Sequence, residues 1–180
     1  MKPPLSWPEL QSILPEKVYN LRVTLPNFVY DDEVFEKSLP ALSEIVTSYS
    51  DDFEGDVYGG QMRHSTQIRE GQGVYISKKD GWLYEGYWKD RMRNGKGRYI
   101  WANGDVYEGS YKDGLRHGKG TNIWSDGHTY IGNWVDSRRE GKGLMVYPDG
   151  SKYEGTWKND QPAGQGKDGH QHLMIDGKKL

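Results

Sequence analysis

Between Tyr84 and Lys89 the chain alternates in kind: Tyr84, Gly86 and Trp88 fall on one parity, Glu85 and Lys89 on the other. A period of two is the signature of a half-buried strand. The stretch from Lys96 to Trp101 repeats it, with Gly97, Tyr99 and Trp101 set against Lys96, Arg98 and Ile100. A polar turn, Asp90 to Gly95, separates the two strands, and Asn103-Gly104 follows the second. That dipeptide recurs as Asp126-Gly127 and Asp149-Gly150, and Asn-Gly and Asp-Gly are strong short hairpin signals because Asn and Gly tolerate positive φ. Each unit therefore predicts a β-hairpin.

The unit returns every 23 residues, at Tyr84, Tyr107, Tyr130 and Tyr153. A strict period of this size marks an array of small supersecondary units that bury apolar surface only by stacking. A degenerate first unit is read as opening at Phe53, Glu54 and Gly55, 31 residues before Tyr84, and closing through Gly71, Gly73, Asp80 and Gly81. The last unit, from Tyr153, loses its aromatic second strand. Five hairpins give about ten strands, and at ~4.8 Å each a ribbon of ~43 Å. The predicted fold is mainly β: an elongated single-layer antiparallel meander over residues 53–178, preceded by an arm over residues 1–52.

Strand parity sorts the side chains onto two faces. One carries Tyr84, Trp88, Tyr99, Trp101, Tyr107, Tyr111, Trp124, Tyr130, Trp134, Tyr147, Tyr153 and Trp157, interleaved with glycines that leave room for the rings. The other carries Glu85, Glu108 and Glu154 with Lys89, Lys96, Lys112, Lys119, Lys142 and Lys158, and a thin aliphatic stripe of Ile100, Ile123 and Val146. Six of the eight prolines lie in the arm, which rules out one long helix there. Leu21, Val23 and Leu25 alternate against Arg22 and Thr24, the pattern of an extended stretch. Leu39, Leu42, Ile45, Val46 and Tyr49 recur at helical spacing behind Ser38 as a cap and Pro40 in the first turn, so a short helix is expected over residues 39–49. Its apolar stripe has two candidate homes, a partner's groove or this ribbon's own aromatic groove, and the second is favoured because a single layer leaves an apolar face to cover.

Composition narrows the class. Seven Trp and thirteen Tyr suit a shallow aromatic core. The chain has no cysteine, which excludes disulfide stapling and thiolate metal sites. No apolar run approaches the ~20 residues of a membrane-spanning helix, and the N-terminal residues lack the pattern of a secretory signal; the expectation is a soluble, cytoplasmic protein. The net charge of -2 hides an asymmetry: residues 1–52 hold four basic and nine acidic side chains, net -5, leaving net +3 in the repeats. Matching positions in the hairpin turns hold Arg91, Arg93 and Lys96, then Arg116, His117 and Lys119, then Arg138, Arg139 and Lys142. Aligned along one edge, these charges would suit acidic protein tails or anionic lipid headgroups; solvated turns partly neutralised by Asp90, Asp113 and Asp136 are the plainer account.

The aromatic face is a candidate groove for a protein partner, since aromatic rings are enriched at binding hot spots, although the same rings are also the array's core. Terminal strands with open edges offer a route to self-association. Catalysis, cofactor binding and metal binding have no support: the histidines, His170 and His172 included, lack ligand spacing, and Gly95-Lys96-Gly97 lacks the phosphate-loop arrangement. Nucleic acid is not expected, because the aromatic face is neutral and the sequence pI is near 6.2.

The motif Tyr-x-Gly-x-Trp, then Gly-x-Gly, then an Asp/Asn-Gly turn resembles the MORN repeat. The resemblance implies a single-layer β-ribbon that binds other proteins and, in some members, lipids. It also implies a non-enzymatic scaffold in a cytoskeletal assembly such as the axoneme of a cilium or flagellum. A peripheral membrane adaptor using the basic edge on anionic phospholipids is the alternative.

Overall fold

The computed structural model describes residues 16–26, 28–29, 45–51, 56–63, 66–163, 174–175 and 178–179. Ten strands lie side by side in chain order, each antiparallel to the next: β1 (Ile45–Asp51), β2 (Val57–Arg63), β3 (Ile68–Ser77), β4 (Trp82–Lys89), β5 (Met92–Ile100), β6 (Val106–Lys112), β7 (Leu115–Ile123), β8 (Thr129–Val135), β9 (Arg138–Val146) and β10 (Ser151–Lys158). A two-residue strand, β11 (Gln161–Pro162), folds back on the end of β10. Two more, β12 (Met174–Ile175) and β13 (Lys178–Lys179), extend the sheet from the start of β10. The single-layer meander expected from alternation is the observed fold.

Two turn types alternate. At the first, Asp90-Arg91 and Asp136-Ser137 have both φ values positive, near 47° and 67°, which makes them tight two-residue turns whose twist matches that of the strands. The polar stretch from Asp90 to Gly95 is thus not one loop. Its later residues already belong to β5, where Gly95 at φ 79° absorbs a register shift opposite Gly86 and Trp88. At the second turn only the glycine is left-handed: Gly104 has φ 89° and its amide donates to Trp101 O, while Trp101 N bonds Asp105 O. The Asn-Gly signal therefore produces a three-residue hairpin loop with a left-handed closing glycine.

The first unit opens later than expected. Phe53–Gly55 lie outside the described residues, and Tyr58 occupies the place that Tyr84 holds in the next unit. Tyr58 pairs Tyr75 as Tyr84 pairs Tyr99, and Gly60 pairs Gly73 as Gly86 pairs Gly97. The spacing from Tyr58 to Tyr84 is 26 residues, three more than the period.

The arm also differs from expectation. Its described helix is α1 (Glu16–Thr24), covering the stretch that alternation reads as extended. Residues 45–49, assigned by spacing to a helix over 39–49, lie in β1; residues 39–44 lie outside the described residues. The β-branched run Ile45-Val46-Thr47 favours the pleated conformation over the helical one. Helix α1 packs on the sheet face opposite the aromatic rings, not in the aromatic groove. Val18 is completely buried there with Val57, Ile76, Leu83, Ile100 and Val106, joined by Leu21 and Leu25. The aliphatic stripe of the charged face is thus a second core, and α1 is its cover.

Candidate functional site

Nine residues in register form a ladder across the aromatic face: Tyr58, Tyr75, Tyr84, Tyr99, Tyr107, Asn122, Tyr130, Met145 and Tyr153. In the first four units the opening tyrosine lies across a pair of glycines, and Tyr153 lies across Gly155. A Cβ on Gly97 or Gly120 would come within 2.3 Å of the Tyr84 or Tyr107 hydroxyl, so no larger residue fits under the ring. Each hydroxyl then donates to the carbonyl three residues on: Tyr58 to Gln61, Tyr84 to Tyr87, Tyr107 to Ser110, Tyr130 to Asn133 and Tyr153 to Thr156. The second ring of the motif packs edge-on, as in Tyr130–Trp134 at 5.2 Å, and again on the preceding unit, as in Tyr107–Trp134 at 5.5 Å and Tyr130–Trp157 at 5.2 Å. Indole N–H groups of Trp88, Trp134 and Trp157 donate to Gly73, Gly120 and Gly143 carbonyls. Each unit therefore completes its neighbour's core with satisfied polar tips.

Tyr84, Trp88, Tyr107, Tyr111, Tyr130, Trp134, Tyr153 and Trp157 are all buried. Burial raises the hydroxyls of Tyr99, Tyr107 and Tyr111 far above the ordinary phenol range and pushes Tyr130 up to about 12. These rings are core. A second line of half-buried rings, Tyr75, Trp82, Trp101, Trp124 and Tyr147, packs against that core. Tyr75, Trp82 and Tyr99 stack in sequence at 5.1 and 5.0 Å, and Trp101 leans on Tyr99 at 4.4 Å. Tyr75 and Trp82 escape the sequence reading because the first unit is set from Phe53; the spelling Tyr58-x-Gly60 would have found the frame.

The basic residues of the turns do not form one edge. Arg93, Arg116 and Arg139 fold onto the aromatic face: Arg116 lies 4.3 Å from the Trp134 ring, Arg139 4.4 Å from Trp157 and Arg93 5.1 Å from Tyr99. Each also donates to a carbonyl of the following turn, Gly114, Ser137 or Asp160. Burial lowers the Arg116 pKa. Arg91 and Arg138 stay exposed in the turns, with Arg138 donating to Asn159. Lys96, Lys119 and Lys142 project from the opposite face, because the glycines beside them are the ones that underlie tyrosine rings. The expected row of charges is thus divided among three surfaces.

On that opposite face the N-terminal units carry a buried charge chain. Glu85 takes Arg22 of α1 at 2.8 Å and Arg98 at 3.1 Å, and Arg98 reaches Glu108 and the Pro26 carbonyl. Farther along, a groove of about 1020 Å³ lies open over β7 to β10, lined by Lys119, Thr121, Ile131, Lys142, Leu144 and Glu154 among others. His170 and His172 lie outside the described residues.

A family model described as the MORN repeat matches residues 84–106, 107–129, 130–152 and 153–167. No curated protein matches the chain. Similar solved structures include the TCP domain of SAS-4 (dCPAP) of Drosophila melanogaster in complex with a proline-rich motif of Ana2 (dSTIL). It is 13% identical with a TM-score of 0.38, and the match covers 87% of this chain and 96% of that one. The TCP10 domain of Danio rerio CPAP in complex with a STIL peptide is 15% identical with a TM-score of 0.28, covering 67% of this chain and 59% of that one.

Proposed function

Because residues 84–167 are four consecutive MORN repeats, we propose that the chain is a non-enzymatic scaffold whose ribbon holds another protein on its aromatic face. The observation that carries this reading is the division of that face into a buried zipper and a line of half-buried rings, Tyr75, Trp82, Trp101, Trp124 and Tyr147. Buried rings hold the array together; the outer line leaves partly exposed aromatic rings for a partner, as interface anchors do. The setting we propose is a cytoskeletal assembly such as the axoneme of a cilium or flagellum, with the acidic arm as a second attachment.

The membrane-adaptor alternative rested on an aligned basic edge. Arg93, Arg116 and Arg139 are stacked on rings and bonded to turn carbonyls, which takes three of its charges away from a lipid surface.

The test is cellular. A tagged chain is extracted with detergent at moderate salt and cross-linked, beside a variant carrying Trp101→Ser and Trp124→Ser. Both rings are only partly buried, so the variant keeps its far-UV circular dichroism. Retention in the cytoskeletal fraction with cross-links from the aromatic face, lost in the variant, is the expected result. Equal retention of both proteins sinks the aromatic-line reading, and release with the membrane fraction sinks the scaffold itself.

A further inference from the structure

Among the described residues, the face opposite the rings is covered at one end and open at the other. In register, its aliphatic row runs Val57, Ile76, Leu83, Ile100, Val106, Ile123, Thr129 and Val146. The first five are at most 5% exposed beneath α1 and its flanks, whereas Ile123 is 41% exposed. The neighbouring row runs Glu85, Arg98, Glu108, Thr121, Ile131, Leu144 and Glu154. Where α1 sits, this row supplies the charges that Arg22 and the chain after it engage. Beyond α1 the repeat departs from itself: the place of Glu85 is taken by Ile131, 48% exposed, and that of Arg98 by Thr121 and then Leu144. The open groove is built on these substitutions.

We propose that this groove is a second docking site, taking an amphipathic helix with an aliphatic stripe and an acidic flank from a partner protein. Three observations select that occupant. The groove continues, in register, a surface on which this protein already seats a helix. Its floor is aliphatic where α1 meets ions, so the incoming helix carries aliphatic side chains where α1 carries Arg22. Its rim holds Lys119 and Lys142, both exposed and, among the described residues, without an ion-pair partner, which favours carboxylates on the flank. Glu154 closes the far side and disfavours an acidic group there. The site is independent of the aromatic line, lying on the other side of a single layer. One ribbon can therefore join two proteins.

A phage-displayed library of random peptides about 16 residues long, enough for about four helical turns, tests this when panned on the full chain and counter-selected on Ile131→Lys. Enriched sequences should carry aliphatic residues at i, i+3 or i+4 with Asp or Glu alongside. The corresponding synthetic peptide should bind the wild-type chain in fluorescence anisotropy, weaken at least about tenfold on Ile131→Lys, about 1.4 kcal/mol, and weaken on the Lys119→Glu, Lys142→Glu double variant. Changing the peptide's acids to Lys should restore binding to that double variant. The Trp101→Ser, Trp124→Ser chain should bind as the wild type does, which separates this site from the aromatic line. All substituted residues here are exposed or half-buried, so a thermal melt confirms the fold of each variant. No enrichment over the counter-selection, enrichment of basic or proline-rich peptides, or indifference to Ile131→Lys overturns the proposal. So does a wild-type dimer in sedimentation that Ile131→Lys converts to monomer, since the groove would then seat a second copy.

Discussion

The ring-over-glycine contact is the smallest unit that explains this fold. Gly120 has no room for a Cβ against the Tyr107 ring, and its backbone partner Gly109 would meet Gly120 Cα at 2.5 Å if it carried one. Gly120→Ala should therefore cost ~2 to 3 kcal/mol in urea denaturation, the scale of an overpacked core. Tyr107→Phe keeps the ring and removes only the bond from its hydroxyl to Ser110 O, and should cost ~1 kcal/mol. A reversed order would show that the hydroxyl, not the close approach, fixes the glycine. Glu85 makes the other residue-scale prediction. Burial raises its pKa above the ordinary 4.5, and the attraction of Arg22 and Arg98 only partly opposes this. The folded state thus binds this proton more tightly than the unfolded chain, so Glu85's contribution is full below about pH 4.5 and is lost as pH rises through the raised value. Glu85→Gln stays uncharged and lacks that slope. The urea midpoint of the wild type minus that of Glu85→Gln should fall as the pH is raised above about 4.5; a flat or rising difference contradicts the sign.

At the scale of hairpins, the arginines act as staples between consecutive turns. Arg116 stacks on Trp134 of the next unit and donates to Ser137 O in the next turn. Lysine keeps the charge but not the planar fork, so Arg116→Lys should lose ~1 to 2 kcal/mol. Arg91→Lys, in an exposed turn, should stay within ~0.5 kcal/mol. Equal effects in a thermal melt would mean that the stack contributes nothing. These staples also show where sequence reading stops. Strands, period and face parity were legible, because alternation and the Asp/Asn-Gly turns are local signals. The direction of Arg93, Arg116 and Arg139 was not: they stand beside the turns in sequence, and only the bulge at Gly95 and its copies shows that the second strand has already begun. Helix α1 was misread for a related reason. Leu21, Val23 and Leu25 alternate, yet Val18, Leu21, Arg22 and Leu25, a helical set, are the residues that face the sheet. The decisive member is a buried arginine, which hydrophobic patterning counts as surface until its partner Glu85 is known. The open groove follows from the same limit, since Ile131 departs from its repeat visibly but gains meaning only beside Thr121 and Leu144.

Along the ribbon each of β1 to β10 pairs with its neighbours in chain order, and only the N-terminal units are also bridged by α1 among the described residues, so stability beyond α1 should be distributed like that of a one-dimensional array. Each motif tryptophan serves two units, and its loss is felt according to how many units lie beyond it. Trp134 touches Tyr107 and Tyr130 in the middle of the array, whereas Trp157 touches Tyr130 and Tyr153 next to the end of β10. Either change to Ala should remove ~3 to 5 kcal/mol of local packing, yet the two should differ in reach. In native-state hydrogen exchange Trp134→Ala should lower protection in β7 to β9 and, by uncoupling the C-terminal units from the rest, in β10 as well. Trp157→Ala should fray β9 and β10 and leave β4 to β6 at wild-type protection, because those strands keep α1 on one face and an intact zipper on the other. Uniform loss of protection in both variants would mean that the sheet melts as a single cooperative body. The independent use of its two faces and two ends would then lose its physical basis, since a ligand on any unit would stabilise all of them equally.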